Sequence, residues 1–130
     1  MTTHPYTTLC DSLMTFILNQ MFFYAAVGTE SGIVDLSPIF AQSLSILDEK
    51  TLVIVEPFDT DNTPIFVGLK DIGAITMLFY ESLSGRELRI FGRYKIVDSS
   101  HQSLIAYQLR HREMRVLEIV IDSIEDKHIE

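Results

Sequence analysis

The sequence predicts an α+β domain that is mainly antiparallel β-structure: about seven strands forming a barrel, with about three helices packed around it. Three observations carry this. Residues Ala74 to Val97, AITMLFYESLSGRELRIFGRYKIV, read as two long strands joined by a turn. Short runs rich in β-branched and aromatic residues, bounded by turn residues, recur through most of the remaining chain. Helical spacing of apolar residues is confined to a few short stretches.

In the first half of the hairpin Ile75, Met77 and Phe79 alternate with Thr76, Leu78 and Tyr80, a nearly all-apolar run that predicts a central strand with both faces covered. The second half sets Leu88, Ile90, Tyr94 and Ile96 against Arg89, Phe91, Arg93 and Lys95, so one of its faces is core. Ser84-Gly85-Arg86 supplies a residue free to take positive φ, which suits the turn of an antiparallel hairpin. Gly92 predicts a bulge or a sharp bend at the corner of a closed sheet.

From the N-terminus, Met1 to Thr8 reads as a loose tail. Leu9, Leu13, Phe16 and Ile17 then recur on one helical stripe, predicting a helix to about Asn19. Strands follow at Met21 to Val27, Ile33 to Ile39, Ser43 to Leu47 and Thr51 to Val55, with turns at Gly28 to Gly32 and Asp48 to Lys50. Phe58 to Pro64 has loop composition and ends in a helix start, with Asn62 or Thr63 as cap and Pro64 at the first helical position. That helix is expected to run to about Ile72 and to end at Gly73 in a left-handed cap. Asp98-Ser99-Ser100 offers a further cap for a helix to about Arg112, and Met114 to Ile124 predicts the last strand. Residues 125–130 read as a solvated tail.

The 130 residues, 47% of them hydrophobic, suffice for one core, so a single domain spans 1–130. A formal net charge of −8 with ten Lys and Arg argues against a nucleic-acid or anionic-membrane surface, which needs a cationic footprint. Cys10 is the only cysteine, no stretch reaches the length of an apolar membrane helix, and MTTHPYTT is unlike a signal peptide. A cytoplasmic protein in a reducing compartment is the expectation.

No side-chain pattern declares a catalytic centre. His4 and His128 lie in the predicted tails, and His101 and His111, ten residues apart on one predicted helix, fall on different faces, so no metal site is expected. Cys10 has no basic sequence neighbour to activate it, and the six glycines form no phosphate loop. Ser37-Pro38 lacks the glycines of a hydrolase elbow. Arg89, Phe91, Arg93 and Lys95 form one cationic row in an acidic protein, either a solvated strand face or a contact surface for a partner subunit or an anionic cofactor.

The succession FILNQMFFYAAVGTESGIVDLSPIF, SLSILDEKTLVIVEP, a DNT loop, AITMLFYES and ELRIFGRYKIV resembles the pyridoxamine 5′-phosphate oxidase-like family of FMN-binding split barrels. The likeness covers about Leu9 to Asp122, with VDLSP and ITMLFY followed by LRIFGRYKIV as its most specific parts. It implies a six- to seven-stranded split barrel, a homodimer, FMN in a cleft between protomers, and an FMN-dependent oxidoreductase of unassigned substrate as the activity to test. In such a fold the flavin site is expected at Leu36, Ser37, Pro38 and Ser43 along the ring and at Thr60, Asn62 and Thr63, a helix start that favours an anion, with Arg89 or Arg93, by their spacing, reaching the phosphate across the dimer. Where the family commonly carries basic residues this chain has Ile33, Ile39 and Ala74. The loss of two charged hydrogen bonds is worth about 3–6 kcal/mol of affinity. Two rivals therefore stand beside the flavoprotein: a flavin-free dimeric binding or regulatory module, and a barrel holding haem or another nucleotide, with His101 or His111 as the residues to watch.

Overall fold

The computed structural model describes residues 2–56, 69–97 and 115–128. They form β1 (Thr2–Tyr6), α1 (Asp11–Leu18), β2 (Phe22–Gly28), β3 (Val34–Phe40), a 3-10 turn (Ala41–Ser43), β4 (Leu44–Asp48), β5 (Thr51–Glu56), β6 (Ile72–Glu81), β7 (Arg86–Val97) and β8 (Arg115–His128). Every ladder is antiparallel, in the order β3-β2-β6-β7-β8-β5-β4, with β1 added to β8. The spine is β8. It pairs with β7 along one edge and, along the other, with β5 through Arg115 to Val120 and with β1 through Ile124 to His128. Among the described residues no ladder joins β3 to β4, so the curled sheet is split there and the chain crosses the split in the 3-10 turn.

Alternation along each strand decides which side is core. Phe23, Ala25 and Val27 of β2, Ile75, Met77 and Phe79 of β6, Leu88, Ile90 and Tyr94 of β7, and Leu117, Ile119, Ile121 and Ile124 of β8 are each at most 1% exposed and share one cluster. Leu13, Phe16 and Ile17 of α1 plug the same cluster. Each large apolar side chain so buried contributes about 1.5–3 kcal/mol, which makes this face the main source of stability. A smaller cluster of Val53, Val55 and Val116 lies on the opposite face of β5 and β8.

The hairpin forms as the sequence predicts, with Gly85 at φ 71° in its turn. The bend at Gly92 is a bulge. Phe91 pairs with Ser123 but Gly92 with Ile121, which leaves Asp122 as the extra residue. The insertion lets Ile121 and Ile124 both face inward, although their odd spacing would split them in a regular strand. Glycine is required because a Cβ on Gly92 would lie 2.6 Å from the Val120 carbonyl oxygen.

Other expectations are corrected. Neither predicted tail is loose over its described part, because Thr2–Tyr6 and the end of β8 are each other's ladder partners. Pro5 is compatible with β1 because that strand is paired on one side only. Ile72 and Gly73 belong to β6 and are no helix end: the Tyr94 ring packs over Gly73, where a Cβ would come within 2.8 Å of the hydroxyl oxygen. There are eight strands, one more than predicted, and α1 is the one α-helix among the described residues. The expected helix start near Pro64 and the helix over 100–112 lie outside those residues.

Candidate functional site

The outward face of β6 overturns the prediction of a strand covered on both sides. Thr76 and Leu78 are half-buried, and Tyr80 is 52% exposed. Leu78 lies opposite Tyr24 of β2 and Arg89 of β7, Thr76 opposite Ala26 and Phe91, and Ala26 in turn opposite Leu36 of β3. Tyr24, Ala26, Leu36, Thr76, Leu78 and Arg89 line a groove of about 350 Å³. Beside it Phe22, Tyr24, Pro38, Ile39 and Phe40 line a second hollow of about 320 Å³, with Tyr24 as the common wall. This sheet face is a shallow apolar trough with a cation at one side.

The structure brings Leu36 and Arg89 into the same groove and Pro38 into its neighbour. Ser37 turns the other way, by the period of the strand, and its hydroxyl donates to the Asp35 carboxylate at 3.3 Å. Ser43 is half-buried in the 3-10 turn and lines neither cavity. Arg93 lies further along the outer face of β7, paired with Asp122 at 3.2 Å. Thr60, Asn62, Thr63, His101 and His111 fall outside the described residues. Tyr24, Ala26, Thr76 and Leu78 line the groove and are passed over by the sequence reading. Period-two alternation on β2 and β6 is the signal that groups them.

Ile39 is 1% exposed and part of the core, so a basic residue there would be buried among hydrocarbon. Its apolar character is a packing requirement. Ile33 is exposed beside β3, where a cation could have reached solvent or ligand.

The cationic row of β7 faces an acidic row. Arg93 meets Asp122, Lys95 meets Glu118 at 4.0 Å, and Lys127 lies 3.7 Å from Glu125 and 3.8 Å from Glu87. Arg89, which lines the groove, donates from Nε to Glu87 at 3.0 Å, a bond that does not engage its terminal nitrogens. These pairs are solvent-exposed or half-exposed, worth about 0–1 kcal/mol each, so an anionic ligand can compete for the arginine.

A different charge cluster lies where α1 meets β7 and β8. Arg86 donates from Nε and Nη2 to the two Asp126 carboxylate oxygens, both at 3.0 Å, and its guanidinium stacks 4.4 Å over the Phe16 ring. His128 Nε2 lies 3.2 Å from the same carboxylate. Burial pushes the Asp126 carboxyl up, but hydrogen bonds and charge from Arg86 and His128 outweigh it and hold the group below its ordinary value. This pair anchors the helix and lines none of the cavities described. No group of three or more His, Cys, Asp or Glu among the described residues could hold a metal ion.

No protein-family model matches the chain, and no curated protein does. Solved structures do match. A Lactobacillus delbrueckii protein provisionally classed as a pyridoxamine 5′-phosphate oxidase superposes with a TM-score of 0.73 at 14% identity, over 95% of this chain and 98% of that one. The chain has the pyridoxamine 5′-phosphate oxidase-like split-barrel fold. A Clostridium acetobutylicum protein of the pyridoxinephosphate oxidase family, related to general stress protein 26, matches with a TM-score of 0.60 at 11% identity, over 90% and 86% of the two chains. HutZ, a heme storage protein of Vibrio cholerae, matches with a TM-score of 0.56 at 8% identity, over 85% and 88%. At these identities the likeness speaks for the split barrel alone. Among the described residues, no helix is long and apolar enough to cross a membrane.

The split-barrel surface fits a flat ring on one count and a phosphate on another. Leu36, Ala26, Leu78 and Tyr24 offer a face that an aromatic ring system can cover, and Arg89 offers planar donors beside it.

Proposed function

We propose that this chain is a cytoplasmic flavoprotein of the split-barrel type, a homodimer that holds FMN against the groove on the outer face of β2, β3, β6 and β7. One observation carries the reading: Tyr24, Ala26, Leu36, Thr76 and Leu78 form an apolar seat, with Arg89 as the cation beside it. Leu36 and Tyr24 contact the ring, and Arg89 exchanges Glu87 for the anionic substituent. A second protomer covers Val34, Phe22 and Tyr80, which a monomer leaves exposed. When bound, FMN would supply the redox chemistry; the chain's own residues place the ring and exclude water from it. Among the described residues Arg89 is the one basic side chain lining the seat, so their contribution to affinity is apolar contact together with one charged partner.

The test is a flavin titration of purified protein, followed by absorbance and by quenching of flavin fluorescence, with sedimentation measured in parallel. Saturable uptake of one FMN per protomer by a dimer supports the proposal. A Soret band on adding haem, without flavin uptake, replaces FMN with haem in the same groove. Dimers that take up neither ligand leave the flavin-free module as the function.

A further inference from the structure

The split between β3 and β4 opens into a hollow of about 500 Å³ distinct from the ring groove. Its floor is Ile17 and Leu44, both buried, and its rim includes Met21 and Phe40, 83% and 69% exposed. A hydrogen bond from the Ala41 N–H to the Met21 carbonyl, 2.9 Å, ties one wall to the other. Among the described residues that line it, Gln20 and Gln42 are the polar side chains and none is ionisable, in a chain that is 22% charged. Gln20 donates from Nε2 to the Phe16 carbonyl at 3.0 Å, which uses one of its two N–H donors and leaves the other, with Oε1 as an acceptor.

We propose that this hollow binds a small uncharged molecule that joins one apolar ring to a carboxamide or hydroxyl group. The volume suits such a ligand. Desolvating a charge here would be uncompensated by the described lining, in which no side chain carries the opposite sign. Two carboxamides provide both a donor and an acceptor, so one polar group on the ligand is satisfied while its ring meets Leu18, Met21 and Phe40. Phe40 also walls the hollow beside Tyr24, so this occupant lies along the same strand edge as the ring groove without sharing its seat. The inference stands whether or not flavin binds.

The test uses benzamide and benzoate, probes of one shape and different charge, on full-length protein with isotope-labelled methionine methyl groups. The Met21 signal shifts with benzamide and saturates, while that of Met77, fully buried in the core, stays in place. Benzamide binds at least about tenfold tighter than benzoate. Ala41→Phe fills the hollow and abolishes the shift. Gln42→Leu, at an exposed position, weakens benzamide about threefold to tenfold and keeps the test intact should the first variant not fold. Equal binding of the two probes overturns the proposal, as does a Met21 shift that survives Ala41→Phe. So does a Met21 signal that responds to protein concentration and ignores benzamide, which would assign the hollow to a second copy of the chain.

Discussion

Leu78 and Phe79 are neighbours on β6 and both strongly apolar, yet they belong to different parts of the molecule. Phe79 has no exposure and stacks on Phe23 at a centroid distance of 4.8 Å, while Leu78 opens outward between Tyr24 and Arg89. The same holds across β2, where Phe23 points in and Tyr24 out. Apolar composition states that a strand face is to be covered. It does not state by what. The inner face is closed by this chain's own strands and α1, whereas the described residues leave the outer face open, which is where the proposed ligand is seated.

The sharpest break of that comparison is a pair of truncations. Phe79→Ala is expected to lose about 3–5 kcal/mol of unfolding free energy through the cavity it leaves. Leu78→Ala is expected to lose less than about 1 kcal/mol from the isolated protomer, because little buried contact is removed. Urea unfolding measures both, and equal losses for the two variants would make the outer face an ordinary core.

A comparable contrast separates the buried charge pair from the surface ladder. Asp126→Asn leaves Arg86 without its anion against the core and is expected to cost about 2–3 kcal/mol, somewhat under the usual value for a buried pair because Arg86 retains some solvent access. Since the folded state holds the Asp126 carboxyl below its ordinary value, its contribution is full above about pH 4 and is lost as pH falls through the lower folded value. Denaturation between about pH 2 and pH 7 should show this loss in the parent and a flatter acid limb in the Asn variant. Identical acid limbs would remove Asp126 as its source.

Two glycines sharpen the point at the backbone. Gly92→Ala drives a Cβ to 2.6 Å from the Val120 carbonyl oxygen, where main chain must move, while Gly28→Ala meets nothing within 4 Å. The first is expected to lose about 2 kcal/mol and the second to stay within about 0.5 kcal/mol, read from thermal or urea midpoints. A tolerated Gly92→Ala would mean that the bulge at Asp122 relaxes freely.

Much of this was legible in the sequence, and the misses have physical causes. Strand periodicity found β2 to β8, and Gly92 announced the bulge, because both depend on local sterics and alternation. The end of β8 and all of β1 were missed because their stability is non-local: HPY and EDKH are polar or restricted by themselves and become strands by pairing with one another. Gly73 was read as a cap because its real neighbour, Tyr94, lies across the ladder. For the candidate groove, Leu36 and Arg89 were within reach of a resemblance. Tyr24, Ala26, Thr76 and Leu78 were not, since an outward apolar residue on a strand looks the same as an inward one until its neighbours are placed. The acidic partners of Arg93 and Lys95 are hidden for the same reason, being contributed by β8, whereas Glu87, the partner of Arg89, lies on β7 itself.

The smallest expected effect bears on the two arginines that one reading of the sequence treats alike. Arg89 borders the groove, whereas Arg93 is exposed and held by Asp122. If FMN occupies the groove, Arg89→Ala should weaken it about tenfold, the value of one charged hydrogen bond less the cost of releasing Glu87. Arg93→Ala should change affinity by less than about twofold and stability by under about 0.5 kcal/mol, as for other exposed pairs. Fluorescence titration of both variants separates the two positions. Equal losses would mean that the anion spans both residues and that Asp122 gives way as readily as Glu87; no loss at either would take the cation out of the site and leave ring burial as the sole attraction.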